Sequence, residues 1–105
     1  MGANDLRGQI DLLLLSVLVS GPAHGYRVIE RLREQSEGTF DLTEGTVYPA
    51  LHRLERSGLL ESRWSEDAPR RRRVYSVTHA GRGSLAARRR DWAAFAGAMQ
   101  SVIAQ

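Results

Sequence analysis

TEGTVYPALHRLERSGLL, Thr43 to Leu60, decides how this chain is read. Val47, Leu51, Leu54 and Gly58 recur at helical spacing, yet Pro49 stands inside the pattern. A proline within a helix removes a hydrogen bond and clashes with the carbonyl four residues back. If Thr46 is the N-cap, Val47 is N1 and Pro49 is N3, where the missing N–H is one of the unpaired donors. If the helix starts at Thr43 instead, Gly45 is the residue whose carbonyl faces the ring. The Thr46 cap resolves the puzzle, with an irregular first turn, a regular helix to about Ser57 and Gly58 as the C′ residue. Val47, Leu51 and Leu54 then face inward, and Thr46, Tyr48, Pro49, His52, Arg53 and Arg56 face outward.

Two helices precede this stretch. Leu6, Ile10, Leu13, Leu14, Val17 and Leu18 form one apolar face and predict a helix over about 5–19. SGPAHGY, Ser20 to Tyr26, stops and turns the chain. A second helix follows over about 24–36, with Tyr26, Ile29, Leu32 and Val28 inward. SEGTFDL, Ser36 to Leu42, is a linker with Phe40 and Leu42 as core plugs.

Downstream, Leu60, Ser62 and Trp64 share one face of a strand, and Tyr75 and Val77 share one face of another. SEDAP between them is turn chemistry, so the pair reads as a hairpin with Arg70 to Arg73 on its tip and outgoing strand. A last helix over about 79–104, N-capped by Thr78, carries the stripe Leu85, Trp92, Phe95, Ala96, Met99, Val102 and Ile103. The expected fold is mainly α with a small β-hairpin. Three helices followed by a basic hairpin give winged helix-turn-helix order, with the third helix as recognition helix. Residues 1–78 would form the DNA-binding region and 79–105 a dimerisation helix, within one compact domain.

Composition agrees with a single domain. The chain has 105 residues, 42% hydrophobic and 26% charged, with a net charge of +3. It has no cysteine, so disulfides and thiolate zinc sites are excluded. LLLLSVLV, Leu12 to Val19, is too short for a membrane span and lacks the flanks of a signal peptide, so the expected location is the cytoplasm. All 15 basic residues are arginine. His24, His52 and His79 show no metal-ligand spacing, and no nucleophile, base and orienter fall together, so neither a metal, a cofactor nor an enzyme is expected.

With these motifs placed, the chain resembles the PadR family of bacterial transcriptional regulators. LRGQIDLLLLSVLVSGPAHGYRVIERL, GTVYPALHRLERSGLL, RRRVYSVTHAGRGSL and the tryptophan of RDWAAF carry the resemblance, from Leu6 to Ile103. It departs at Val47, where leucine is commoner, and at Val74, where many members have lysine or an aromatic residue. The resemblance implies a winged helix, a homodimer built largely by the C-terminal helix, and repression of a nearby gene. The single short C-terminal helix resembles the small subfamily, some members of which bind planar, hydrophobic compounds near this tryptophan.

The expected DNA-binding residues are Tyr26, Gly45, Thr46, Tyr48, Pro49, His52, Arg53, Arg70 and Arg71. Recognition helices contact bases through their N-terminal residues, and Pro49 offers an apolar surface for a thymine methyl. Gly45 keeps the first turn slim enough for a phosphate backbone. Tyr26 serves either packing or a phosphate; strand alternation lets only part of the arginine run meet DNA, and Arg70 and Arg71 are preferred because they lie near the tip. The expected dimer contacts are Leu6, Ile10, Leu85, Trp92, Phe95, Met99 and Ile103. Trp92 either packs the dimer core or lines a cavity for an aromatic effector, with packing the stronger reading. The leading function is thus a homodimeric repressor of a pseudo-palindromic operator on double-stranded DNA. The alternative is a winged-helix protein-interaction module that binds an acidic partner through its basic wing.

Overall fold

The computed structural model describes residues 6–66 and 71–104. Its elements run α1 (Leu6–Val19), β1 (Ala23–His24), α2 (Gly25–Gln35), α3 (Glu44–Arg56), β2 (Leu60–Trp64), β3 (Arg73–Val77) and α4 (His79–Ile103). Four helices around a small sheet form a mainly α, winged-helix arrangement. One element goes beyond the sequence reading. β1 pairs antiparallel with β3, Ala23 opposite Tyr75 and His24 opposite Val74, giving the strand order β1-β3-β2. A two-residue strand is too short to leave an alternating pattern.

α1 lies at the centre because it is apolar around most of its circumference. Leu14 and Leu15 are fully buried, and Val17 and Leu18 nearly so. They meet Val28, Ile29 and Leu32 of α2, Val47, Leu51 and Leu54 of α3, Leu60 and Tyr75 of the sheet, and Leu85 of α4. Each such large side chain contributes about 1.5–3 kcal/mol on burial.

Three expected core or interface positions lie elsewhere. Tyr26 is exposed, because the inward stripe of α2 is Gly25, Val28, Ile29 and Leu32 and Tyr26 falls beside it. Phe40 is also exposed. The linker turns outward at Glu37 and Gly38, both with positive φ, and the Ser36 hydroxyl takes the Phe40 N–H at 2.8 Å. Leu42 alone packs partly on the core. Leu85, expected at a dimer contact, is 1% exposed in a single chain and belongs to its core. It lies on the second turn of α4, where the helix still rests on the body.

α3 begins one turn earlier than a Thr46 cap would place it. Thr43 is the N-cap, and its carbonyl accepts from the N–H groups of Thr46 and Val47 at 3.1 and 3.0 Å. The Thr46 hydroxyl instead accepts from that of Thr43 at 3.2 Å. Pro49 is therefore inside the helix, and the carbonyl it cannot pair with belongs to Gly45. Both residues are exposed, so water can take the place of the lost donor. At the other end Gly58, with φ of 79°, closes a Schellman motif. Its N–H donates to the Glu55 carbonyl, and the Leu59 N–H to the Leu54 carbonyl, both at 3.0 Å.

β2 and β3 pair in register, Leu60 opposite Val77, Ser62 opposite Tyr75 and Trp64 opposite Arg73. α4 starts immediately after. The Thr78 hydroxyl caps it by accepting from the Gly81 N–H at 3.0 Å. Gly81 touches the body so closely that an added Cβ would lie 2.1 Å from the Leu59 carbonyl oxygen. The rest of this 25-residue helix, about 37 Å long at 1.5 Å per residue, runs away from the core and stretches the molecule to 55 × 29 × 22 Å.

Candidate nucleic-acid interface

One cleft of about 550 Å³ opens between the first turns of α2 and α3 and the wing. His24 and Tyr26 line it from the start of α2, Glu44 and Tyr48 from α3, and Trp64 and Arg71 to Arg73 from the hairpin. Residues distant in sequence meet here because β1 threads the start of α2 onto the edge of β3.

Tyr48 is the hub. Its ring covers Gly25, where an added Cβ would lie 2.6 Å from Cζ, so a larger residue there would displace the ring. Tyr26 lines the same cleft beside it. Burial, then the Glu44 carboxylate, push the Tyr48 phenol above its ordinary value, so it remains a neutral donor and acceptor. Tyr48 is thus half-buried against the core and still open to the cleft, rather than pointing wholly outward. Its ring also leans on His52, centroids 6.4 Å apart.

Trp64 orders the wing. The Arg71 guanidinium lies 4.9 Å and that of Arg73 5.2 Å from its ring centroid, both within cation–π range. Arg73 is further tied to the body, donating to the Ser62 hydroxyl at 2.8 Å and standing 3.8 Å from the Glu55 carboxylate. Arg71 and Arg72 enter no ion pair among the described residues, whereas Arg27 and Arg33 are paired with Glu30, Glu34 and Asp41. The wing therefore carries its uncompensated positive charge beside α3.

His24 links α2 to the wing under a constraint. Its Nδ1 accepts from the Arg27 N–H at 3.2 Å as the N-cap of α2, while Nε2 lies 2.8 Å from Arg72 Nη1. A neutral imidazole has one acceptor nitrogen, and both neighbours are donors. The ring can cap the helix or hold Arg72, not both at once. Burial, then Arg72, lower the pKa of His24 and favour the neutral ring.

Of the expected DNA-binding residues, Tyr26, Tyr48 and Arg71 meet in the cleft. Gly45, Pro49 and His52 are exposed on α3, and Thr46 is half-buried in its first turn. Arg53 is turned away from this face, with Nη2 on Asp11 Oδ1. Arg70 lies outside the described residues. His24, Glu44, Trp64, Arg72 and Arg73 were not on the expected list. Alternation from Arg71 would also have pointed to Arg73, but nothing in the sequence placed His24 against the hairpin.

A second, apolar surface lies elsewhere. Leu6, Ile10, Leu13, Phe40, Leu42 and Trp92 line a groove of about 230 Å³ between α1, the linker and α4. Phe95 stacks at a tilt on Trp92, centroids 5.8 Å apart. Beyond them Met99, Val102 and Ile103 are 46%, 70% and 66% exposed. No helix among the described residues is long and apolar enough to cross a membrane.

A transcriptional regulator of Mycobacterium tuberculosis is 38% identical over 84 residues, covering 80% of this chain and 76% of its own. A PadR family transcription regulator from Clostridium difficile superposes with a TM-score of 0.81 at 32% identity, over 91% of this chain and 99% of that one. A transcriptional regulator from Clostridium thermocellum reaches 0.85 at 26% identity, over 96% of each chain. Residues 14–87, which include α2, α3, the hairpin and the start of α4, match the family described as transcriptional regulator PadR-like. The chain belongs to the PadR-like family of transcriptional regulators.

Proposed function

We propose that the protein is a homodimeric repressor that places α3 in the major groove of a pseudo-palindromic operator and its wing on the flanking backbone. The observation that carries this reading is the cleft itself. It brings Tyr48, at the start of α3, together with Arg71 and Arg72, which enter no ion pair among the described residues. The polar N-terminal face of α3 reads base edges, and the wing arginines fix position on phosphates. The alternative of a protein-docking module is weaker. It calls for contiguous apolar anchors on α3, and Gly45, Pro49 and His52 do not provide them.

Dimerisation follows from the exposed stripe of α4. Trp92, Met99 and Ile103, with Leu6 and Ile10, would leave a sizeable apolar area in water, and a twofold mate would cover it. Trp92 packs this interface, and the adjoining groove has room for a planar, hydrophobic effector that relieves repression. Such a regulator works in the cytoplasm. Electrophoretic mobility of the DNA upstream of its own gene tests the central claim. Retardation that survives excess random duplex supports sequence-specific binding, and equal competition by random duplex defeats it.

A further inference from the structure

Asp11 is a carboxylate inside an apolar core. It sits on α1 between Gly8, Leu14 and Leu15, and its side chain is 10% exposed. Burying a carboxylate is expensive unless charged partners meet it. Two arginines do so from two different helices, each on its own oxygen. Arg53 of α3 places Nη2 2.5 Å from Oδ1, and Arg88 of α4 places Nη1 3.7 Å from Oδ2. Both arginines are partly buried, at 23% and 26% side-chain exposure. Arg88 is held along α4 by donating from Nε to the Ser84 hydroxyl at 2.9 Å.

We propose that Asp11 is a positioning residue that trims the rotation of α3 within the seat made by buried Val47, Leu51 and Leu54, and that Arg88 makes this trim respond to α4. Successive residues of a helix point about 100° apart. Tyr48, Pro49 and His52 therefore meet DNA only while Arg53 faces α1. The contact from α3 is short and the contact from α4 is long, so the carboxylate is shared unequally. A shift of α4 that brings Arg88 closer draws Asp11 from Arg53 and loosens α3. Arg53 then acts through Asp11 instead of touching DNA.

This inference rests on the DNA-binding reading, and its test separates the two. Affinity for the fragment upstream of the protein's own gene is measured against salt for wild type, Asp11→Asn, Arg53→Gln, Arg53→Lys and Arg88→Gln. By charge alone, removing a carboxylate from a DNA-binding protein tightens binding. A positioning role predicts the opposite sign, with Asp11→Asn weakening affinity about tenfold. Arg53→Gln should match it at an unchanged salt slope, and Arg53→Lys should recover part of the loss. Arg88→Gln should change affinity in wild type and have no effect in the Asp11→Asn background.

Unchanged or tighter binding by Asp11→Asn overturns the proposal. So does a slope flattened by about 0.9 for each Arg53 removed, which marks a direct phosphate contact. If Asp11→Asn does not fold, a double-mutant cycle of Arg53→Gln with Arg88→Gln replaces it, and additive effects overturn the coupling. If wild type binds no duplex, the DNA-binding reading fails by itself. The coupling is then judged in the free protein by backbone amide resonances. Arg88→Gln should move those of Tyr48 to His52, and unmoved resonances overturn it.

Discussion

The two exposed surfaces of this molecule are built from opposite materials. The cleft beside α3 gathers Arg71, Arg72, His24 and two tyrosines, whereas the far half of α4 presents Trp92, Met99, Val102 and Ile103. Arginine heads are well solvated, and their attraction for a partner is screened over about 8 Å at physiological salt. Apolar side chains gain about 25 cal/mol for each Å² removed from water, with little dependence on salt. Under the proposed function, one surface would therefore be tuned by ionic strength and the other by protein concentration. Both sit on a single core, so each is open to attack by variants that spare the other.

The largest effect is expected at the wing. Arg71→Ala with Arg72→Ala removes four charges from a dimer. If all four meet phosphates, the salt slope flattens by roughly 3–4 units and affinity at 0.1 M salt falls by about three decades. The loss should be equal on operator and random DNA, with sedimentation unchanged. A loss confined to operator DNA would instead mean that these arginines read bases or groove shape.

The next effect lies at the joint between the two surfaces. Gly81→Ala drives a Cβ against the Leu59 carbonyl, a backbone atom with little room to yield. Stability should fall by about 3 kcal/mol, read by chemical denaturation. Full stability would show that the joint adapts and that α4 is less firmly placed than its contacts suggest.

Trp92→Ala should weaken self-association by about 2 kcal/mol, the scale of a buried aromatic anchor, while a monomer keeps its helical content. Sedimentation equilibrium reads this directly. A dimer as tight as wild type would move the interface away from Trp92.

The smallest effect concerns pH. The pKa of His24 is lowered in the folded chain by burial and by Arg72, so the unfolded chain binds its proton more readily. Stability from this group is fully present above about pH 6.5, the unfolded value, and is lost as pH falls through the lower folded value. His24→Asn keeps a capping side chain without a titrating ring, so denaturation midpoints between pH 7 and 5.5 should vary less than in wild type. Equal pH dependence would remove His24 as the source.

Local signals in the sequence were dependable where one residue type has one physical use. Gly58 ends α3 and Thr78 starts α4, as their chemistry requires. Periodicity also found the helices and both long strands. It left Thr43 and Thr46 equal, both threonines ahead of the same apolar stripe, and Pro49 tipped the reading to Thr46, whereas Thr43 is the cap. Nor could it tell that Leu85 belongs to the chain's own core while Trp92, two turns later on the same stripe, is exposed. Periodicity gives a face and not its neighbour. The Arg53 contact was invisible for a related reason. Its partner Asp11 is 42 residues away, at the head of a run of four leucines.

The start of α4 is tied to the end of α3 at one point in space. The Thr78 hydroxyl donates to the Gly58 carbonyl at 2.7 Å, its N–H donates to the Leu59 carbonyl at 3.1 Å, and Gly81 rests on that same carbonyl. A ruler made of two such chains, joined through α4, would take its graduation from this corner. Half-sites read one helical turn apart lie about 34 Å from each other along DNA. The angle fixed by a few backbone atoms near Gly58 and Gly81, more than the length of α4, would then decide which operator spacings the pair can span.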